Sequence, residues 1–417
     1  MQPMIRRRPC ESKLMEQRFA FDSKLKMATI ITFAVGFLLL VIGYFAANGG
    51  GPAADSRLWS SLLFSNLFFT WIALIGGFFV AAFGLGYSGW HTLFKRIPEA
   101  MAHYIFFGIP IILLIYLLAK QDIYEWTIPE IVASDGLIQF KGWWLSNKMY
   151  IGFTLFWFLT MGGAFYLLRR NSVRLDQTGD YKLFNKSFVI AALFCFFFAI
   201  MNSVSTWHWV MSTEPHWYST LYGWYLFASA LVTGFAVMIL MLLFLKGRGY
   251  LPRLNTSHIH DLGKFLFAFS VFWTYLWFSQ HMLIWYANIP EETIHYEYKY
   301  ANHKFTFFLV LIMNFFIPLL VLMSRDAKRN FSTLIVVACV IIIGHWLDFF
   351  LMIRPGTDRL AGHKIHEAVV QHIGLMEVGA FLFFGGLFTY VTFSALASAN
   401  LTPMNHPFEQ ESVEHHI

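Results

Sequence analysis

Eight residues of this chain pair a titratable or charged side chain with a position where such a group is costly. His208, His281, His345, Asp348 and Glu377 fall inside long apolar runs, and Glu214, Arg354 and His372 lie beside them. Ionisable groups in a bilayer mark function or tight packing. His345 and Asp348 stand at i, i+3 and share a helix face. An imidazole–carboxylate pair can take up and return protons near neutral pH. A structural ion pair fits the same spacing, and Arg354 is the next partner for Asp348. Glu377 has no partner on its own run, which makes it the strongest single candidate for a proton carrier. Its rival role is a hydrogen bond to a neighbouring helix or another subunit. Ser205 and His208 also stand at i, i+3, and Pro215 with Glu214 before it ends that segment. His208 then joins the acid–base set or caps a helix end. Thr274, His281 and Asn288 form one stripe at seven-residue spacing. Such a stripe lines a proton path or makes interhelical hydrogen bonds of ~0.6–2 kcal/mol each. On the opposite side lie His91 and His103, with Asn66 and Asn314 deeper, as candidates for a proton entry path.

What must position these groups is a set of ten apolar runs: 27–47, 58–86, 101–119, 148–168, 185–212, 220–245, 265–287, 305–323, 331–352 and 371–397. Each approaches the ~20 residues a helix needs to cross the hydrocarbon core. Backbone groups in lipid must be satisfied within their own segment, so helices are the spanning structure these runs allow. Alternating strands of ~10 residues, the mark of a membrane barrel, do not occur. The expected fold is an all-α integral membrane protein of about ten transmembrane helices. With the N-terminus placed inside, 21 of the 30 lysines and arginines fall on the inner side and nine on the outer. Both termini are therefore expected in the cytoplasm. The first run has no small-residue cleavage site after it and reads as a retained helix rather than a signal peptide.

Composition narrows the chemistry. The net charge of +6 follows from the inner-side bias, and no nucleic-acid motif accompanies it. Tryptophan and tyrosine crowd the run boundaries as an interfacial belt, for example Trp143 and Trp144, Trp217 and Tyr218, Trp285 and Tyr286. Of three cysteines, Cys10 lies in the N-terminal tail, while Cys195 and Cys339 lie mid-run and read as small buried hydrophobes. There is no CxxCH string and no four-cysteine set, so the chain itself is expected to hold no covalent haem and no iron–sulfur cluster. Haem held by histidines of two different helices stays open.

A weak internal repeat organises the runs. Ile128-Pro129-Glu130 follows the third run and Ile289-Pro290-Glu291 follows the seventh. His208-Trp209 near the end of the fifth run is matched by His345-Trp346 in the ninth. Both offsets are four helices, which preserves direction across the membrane and predicts two parallel four-helix bundles. The expected units are a cytoplasmic tail 1–26, a flanking helix 27–47, bundles 58–212 and 220–352, a flanking helix 371–397 and a cytoplasmic tail 398–417. Ile97-Pro98-Glu99 is a third copy outside this scheme. The loop 120–147 is long enough to fold over the outer face. The C-terminal tail is expected to dock or stay mobile.

Three strings, WHWVMSTEPHWYSTLYGWY around His208, WFSQHMLIWYANIPEET from Trp277 to Thr293, and HWLDFFLMIRP from His345 to Pro355, together resemble the NrfD/polysulfide-reductase-like membrane subunits of alternative complex III, a bacterial quinol:cytochrome c oxidoreductase. Length and short tails are closer to the shorter of its two such subunits than to the longer paralogue. The resemblance implies two four-helix bundles with two outriggers in the bacterial cytoplasmic membrane. It implies as partners an NrfD-like paralogue, an iron–sulfur subunit, multihaem and monohaem cytochrome c subunits, small membrane subunits and a terminal oxidase. Haem and iron–sulfur clusters would sit on those partners. Quinone or menaquinone is the implied ligand, with its site either here or in the paralogue. Two other classes fit the residues: a stand-alone proton-coupled transporter and a purely structural membrane anchor.

Overall fold

The computed structural model describes residues 17–47 and 50–416. The tail residues Arg6, Arg7, Arg8, Cys10 and Lys13 lie outside them. Among the described residues, ten helices are long and apolar enough to cross a membrane: α1 Ser23–Ala46, α2 Pro52–Leu85, α3 Thr92–Ile123, α4 Asn147–Thr178, α5 Tyr181–Thr213, α6 Tyr222–Gly247, α7 Thr256–Ala287, α8 Lys304–Val321, α9 Phe331–Ile365 and α10 Leu375–Ala397. The all-α multi-pass fold is as the apolar runs require.

Several helices outrun their apolar cores. α9 continues to Ile365 instead of stopping at residue 352, so Arg354 and Pro355 lie inside it and are buried. Pro355 removes one donor, and Thr357 Oγ donates back to the Arg354 carbonyl at 3.0 Å. α7 starts at Thr256, capped by Asn255 and His258, rather than at 265. α4 runs ten residues past its apolar run as an amphipathic extension. The cysteines also depart from expectation. Cys339 is exposed on its helix, and Cys195 is half-buried against the edge of the core.

Packing follows the four-helix offset. α2 contacts α3 and α5, and α5 contacts α4; α6 contacts α7 and α9, and α9 contacts α8. α2 also packs on α6 and α9, which joins the two sets. Two further features share the offset. α4 contains a π-helical turn at Phe158–Gly162 and α8 one at Ile312–Phe316. Each matched Ile-Pro-Glu string opens a helix with proline in its first turn, Pro129–Ser134 in one case and Pro290–Asn302 in the other. The third copy, Ile97–Glu99, sits within the short helix Arg96–Met101.

Helices α1 and α10 lie together. A Cβ at Gly36, Gly379 or Gly386 would meet the partner's backbone within van der Waals contact, so glycine sets this close approach. Arg18 bridges Asn400, and Gln17 accepts from Leu401 N, so both ends of the described chain meet at one face. We call this the terminal end. The C-terminal tail is docked across it: His258 contacts the Ser412 carbonyl at 2.9 Å, Ser412 donates to Trp90 O, and His415 meets Asp261 at 2.6 Å. At the far end the loop 120–147 does fold over α5. Tyr124 donates to Trp209 O, Trp126 to Ser212 O and Lys141 to Pro215 O.

Candidate functional site

The eight candidate residues do not form one cluster. They divide into separate groups in the far half of the molecule, each with its own partners.

Asp348 and His345 lie in the interior of the second helix set. Tyr225 donates to Asp348 Oδ1. Ser229 and Trp273 donate to Oδ2 at 3.1 and 3.2 Å. Among the described residues no lysine or arginine hydrogen-bonds or ion-pairs with this carboxylate. His345 Nδ1 is 3.9 Å from it, but only 2.9 Å from Ser229 Oγ. The one hydroxyl thus accepts from the imidazole and donates to the carboxylate. His345 Nε2 is buried without a partner. A carboxylate held only by neutral donors can take up and release a proton without breaking an ion pair. The serine gives it a bridge to the imidazole. α6 contributes Tyr225 and Ser229, four residues apart and so on one face.

Glu377 is not the partnerless carboxylate that its own run suggests. It sits in the first turn of α10 rather than two turns in, and closes a capping box on Gly374 N at 2.8 Å. Arg57 of α2 holds both of its oxygens, at 2.8 and 2.9 Å. Arg354 of α9 donates to the same Oε1 at 2.8 Å and Ser61 at 3.3 Å. Arg354 therefore pairs with Glu377 and not with Asp348, and its other donors reach Ser60 and Gln371. His372 enters through its carbonyl, which accepts from Arg57. Buried ion pairs with most of their donors engaged fix geometry, and removing one partner is strongly destabilising. This group ties α2, α9 and α10 together. By its apolar run, 58–86, Arg57 would fall in an outer loop; the helix begins at Pro52 and carries it.

Glu214 belongs to a third group, whose other members lie on the helix Pro290–Asn302 and on α9. His295 Nδ1 is 3.0 Å from Glu214 Oε2, and Arg359 donates to the same oxygen at 2.6 Å. Lys299 Nζ donates to His295 Nε2 at 2.7 Å, and Trp217 stacks on the imidazole at 3.9 Å. Burial raises the Glu214 carboxyl, but His295, Arg359 and Lys299 outweigh it and hold the group near 2. Burial pushes His295 down to about 4 and Lys299 down to about 8, against the pull of Glu214 in both cases. Lys299, His295 and Glu214 thus form a hydrogen-bonded row whose outermost amine titrates close to neutrality. His295 and Lys299 were missed because they lie between apolar runs. Their signal was present: Pro290 opens a helix and the two stand at i, i+4.

The remaining candidates stand apart. His281 Nε2 contacts Tyr300 Oη at 2.5 Å. Thr274 bonds Ser270 O of its own helix, and Asn288 caps α7 in a left-handed conformation, so the stripe makes no interhelical bond through either. His208 is fully buried and stacked on Trp144 at 4.3 Å, with neither ring nitrogen hydrogen-bonded. Its i, i+3 neighbour Ser205 bonds its own helix backbone. At the terminal end His103 contacts Glu99 O, and Asn66 is taken up by Gly108 O and Tyr104. These bonds are local and do not link into a path with Asn314. Compared with known proteins, the chain matches no family model and no curated protein.

Proposed function

We propose that this chain is a membrane subunit of a bacterial quinol-oxidising respiratory complex of the NrfD/polysulfide-reductase-like kind, and that its part in the work is proton transfer through the second helix set. Asp348 is the proton-holding group, His345 exchanges with it through Ser229, and the Lys299–His295–Glu214 row is the far-end exchange point. The observation that carries this reading is the Asp348 carboxylate, buried in a membrane helix with only neutral donors. A charged group there costs several kcal/mol unless compensated. In this reading both termini face the cytoplasm, quinol is oxidised at a site shared with or held by the paralogous subunit, and haem and iron–sulfur clusters belong to partners.

A blue-native gel of the membranes, stained for haem and probed for this chain, tests the assignment. Co-migration with haem is expected, and migration alone favours a stand-alone proton-coupled transporter. In the assembled complex Asp348→Asn should lower proton release or turnover. Wild-type values for both would remove the proton role and leave a structural anchor.

A further inference from the structure

At the terminal end, between the ends of α2 and α4 and the start of α5, lies a cavity of about 40 Å³ roofed by the C-terminal tail. Its floor is polar and its walls are aromatic. His91 is 1% exposed and faces the cavity with neither ring nitrogen hydrogen-bonded. Lys95 lies beside it, and the nearest carboxylate oxygen, on Glu99, is 3.8 Å away. That carboxylate is already committed to Arg96 and Arg169 at 2.5 Å each. Asp176 is committed to Arg96 and to Met404 N. Three cations thus share two carboxylates, and Lys95 has the longest contact of the set. His406 of the tail and Ser187 of α5 complete the polar lining.

We infer that this cavity binds one phosphate-type anion, with Lys95 supplying charge and His91 a hydrogen bond, and that its source is the headgroup of an anionic membrane lipid. The size fits: 40 Å³ accommodates about three water-sized groups, which matches phosphate oxygens. The surroundings favour a lipid over a free ion. Asn171 and Phe188 at the rim are half-buried. Leu167, Val189 and Leu193 on the adjoining faces are exposed apolar residues of membrane helices, along which acyl chains can lie. Arg170, Arg174, Lys182 and Lys186 are exposed around the same helix ends and favour an anionic headgroup.

Native mass spectrometry of the full chain in detergent, titrated with phosphatidylglycerol or phosphatidylcholine, tests this, alongside phosphorus NMR line broadening of inorganic phosphate. Expected is a phosphatidylglycerol adduct retained at least tenfold more strongly than the phosphatidylcholine adduct, and weakened at least tenfold by Lys95→Gln. Asn171→Leu narrows the mouth without touching the ion pairs and should weaken it too; this variant decides the matter if Lys95→Gln does not fold. Broadening of inorganic phosphate that disappears in the variants, with no lipid preference, keeps the anion site and assigns it a soluble source. Equal binding of the two lipids, or no loss in either variant, with no phosphate broadening, overturns the proposal.

Discussion

The two His-Trp pairs occupy matching places in the two helix sets, yet their surroundings differ in kind. In the first set, His208 is enclosed by Trp144 and Phe153, and both nitrogens lack partners. Trp209 bonds Thr154, and two tyrosines, Tyr124 and Tyr150, share a hydrogen bond nearby. In the second set, His345 reaches Ser229 and, through it, Asp348. The paired Ile-Pro-Glu helices show the same contrast. Pro129–Ser134 buries no residue, whereas Pro290–Asn302 buries His295, Tyr296 and Lys299. The surroundings of the His-Trp pair are thus aromatic in one set and ionisable in the other. Repetition conserves helix directions and caps. It does not conserve chemistry, which lies in a few side chains such as Asp348 where the first copy has Met211.

That contrast can be broken or sharpened by substitution. The largest effect is expected at Glu377, which joins the copies rather than serving either. Glu377→Gln leaves Arg57 and Arg354 without their carboxylate and should cost about 3–5 kcal/mol, read as a lower melting temperature and poorer assembly. A stable Glu377→Gln variant with lost proton release would instead restore Glu377 as a carrier. Next is Lys299. Burial lowers its folded-state value to about 8, below the usual 10.5. The cost of burying its charge is therefore present below pH 8 and relieved as pH rises toward 10.5. This alone should add about 3 kcal/mol of stability across that window. Lys299→Met should flatten that rise in a thermal-melt series, and an unchanged profile would show that the amine is already solvated. Asp348→Asn should reduce proton release by about tenfold or more; the amide keeps one acceptor oxygen, so either Tyr225 or the Ser229–Trp273 pair loses its acceptor, and part of the assembly is lost with it. The smallest effect belongs to His208. His208→Phe removes two unpaired buried nitrogens and should leave turnover unchanged while raising stability by about 1 kcal/mol. Loss of turnover there would show that the aromatic copy is functional as well.

The spans were legible because a membrane helix needs only its own apolar length. Its ends were less so. Past the hydrocarbon, helices continue on capping and tertiary contacts, as α7 does from Asn255 and α9 does through Pro355. Individual acid–base residues were legible by their cost, but not their partners. Arg57 and Glu377 are 320 residues apart in the chain and meet only when α2 and α10 pack. Tyr225 reads from the sequence as one of the interfacial aromatics at the start of α6, and Ser229 does not stand out because a hydroxyl is cheap in a helix, where it can bond its own backbone. Only the neighbouring α9 turns Ser229 into a bridge.

The glycine contact between α1 and α10 bears on biogenesis. Synthesis runs from the N-terminal side, so α1 is made before its principal partner, with eight spanning helices made in between. Until then its glycine face is open to lipid and to any other helix with a small-residue stripe. Truncation before α10 would leave α1 unmatched, so this one contact reports whether synthesis has reached α10.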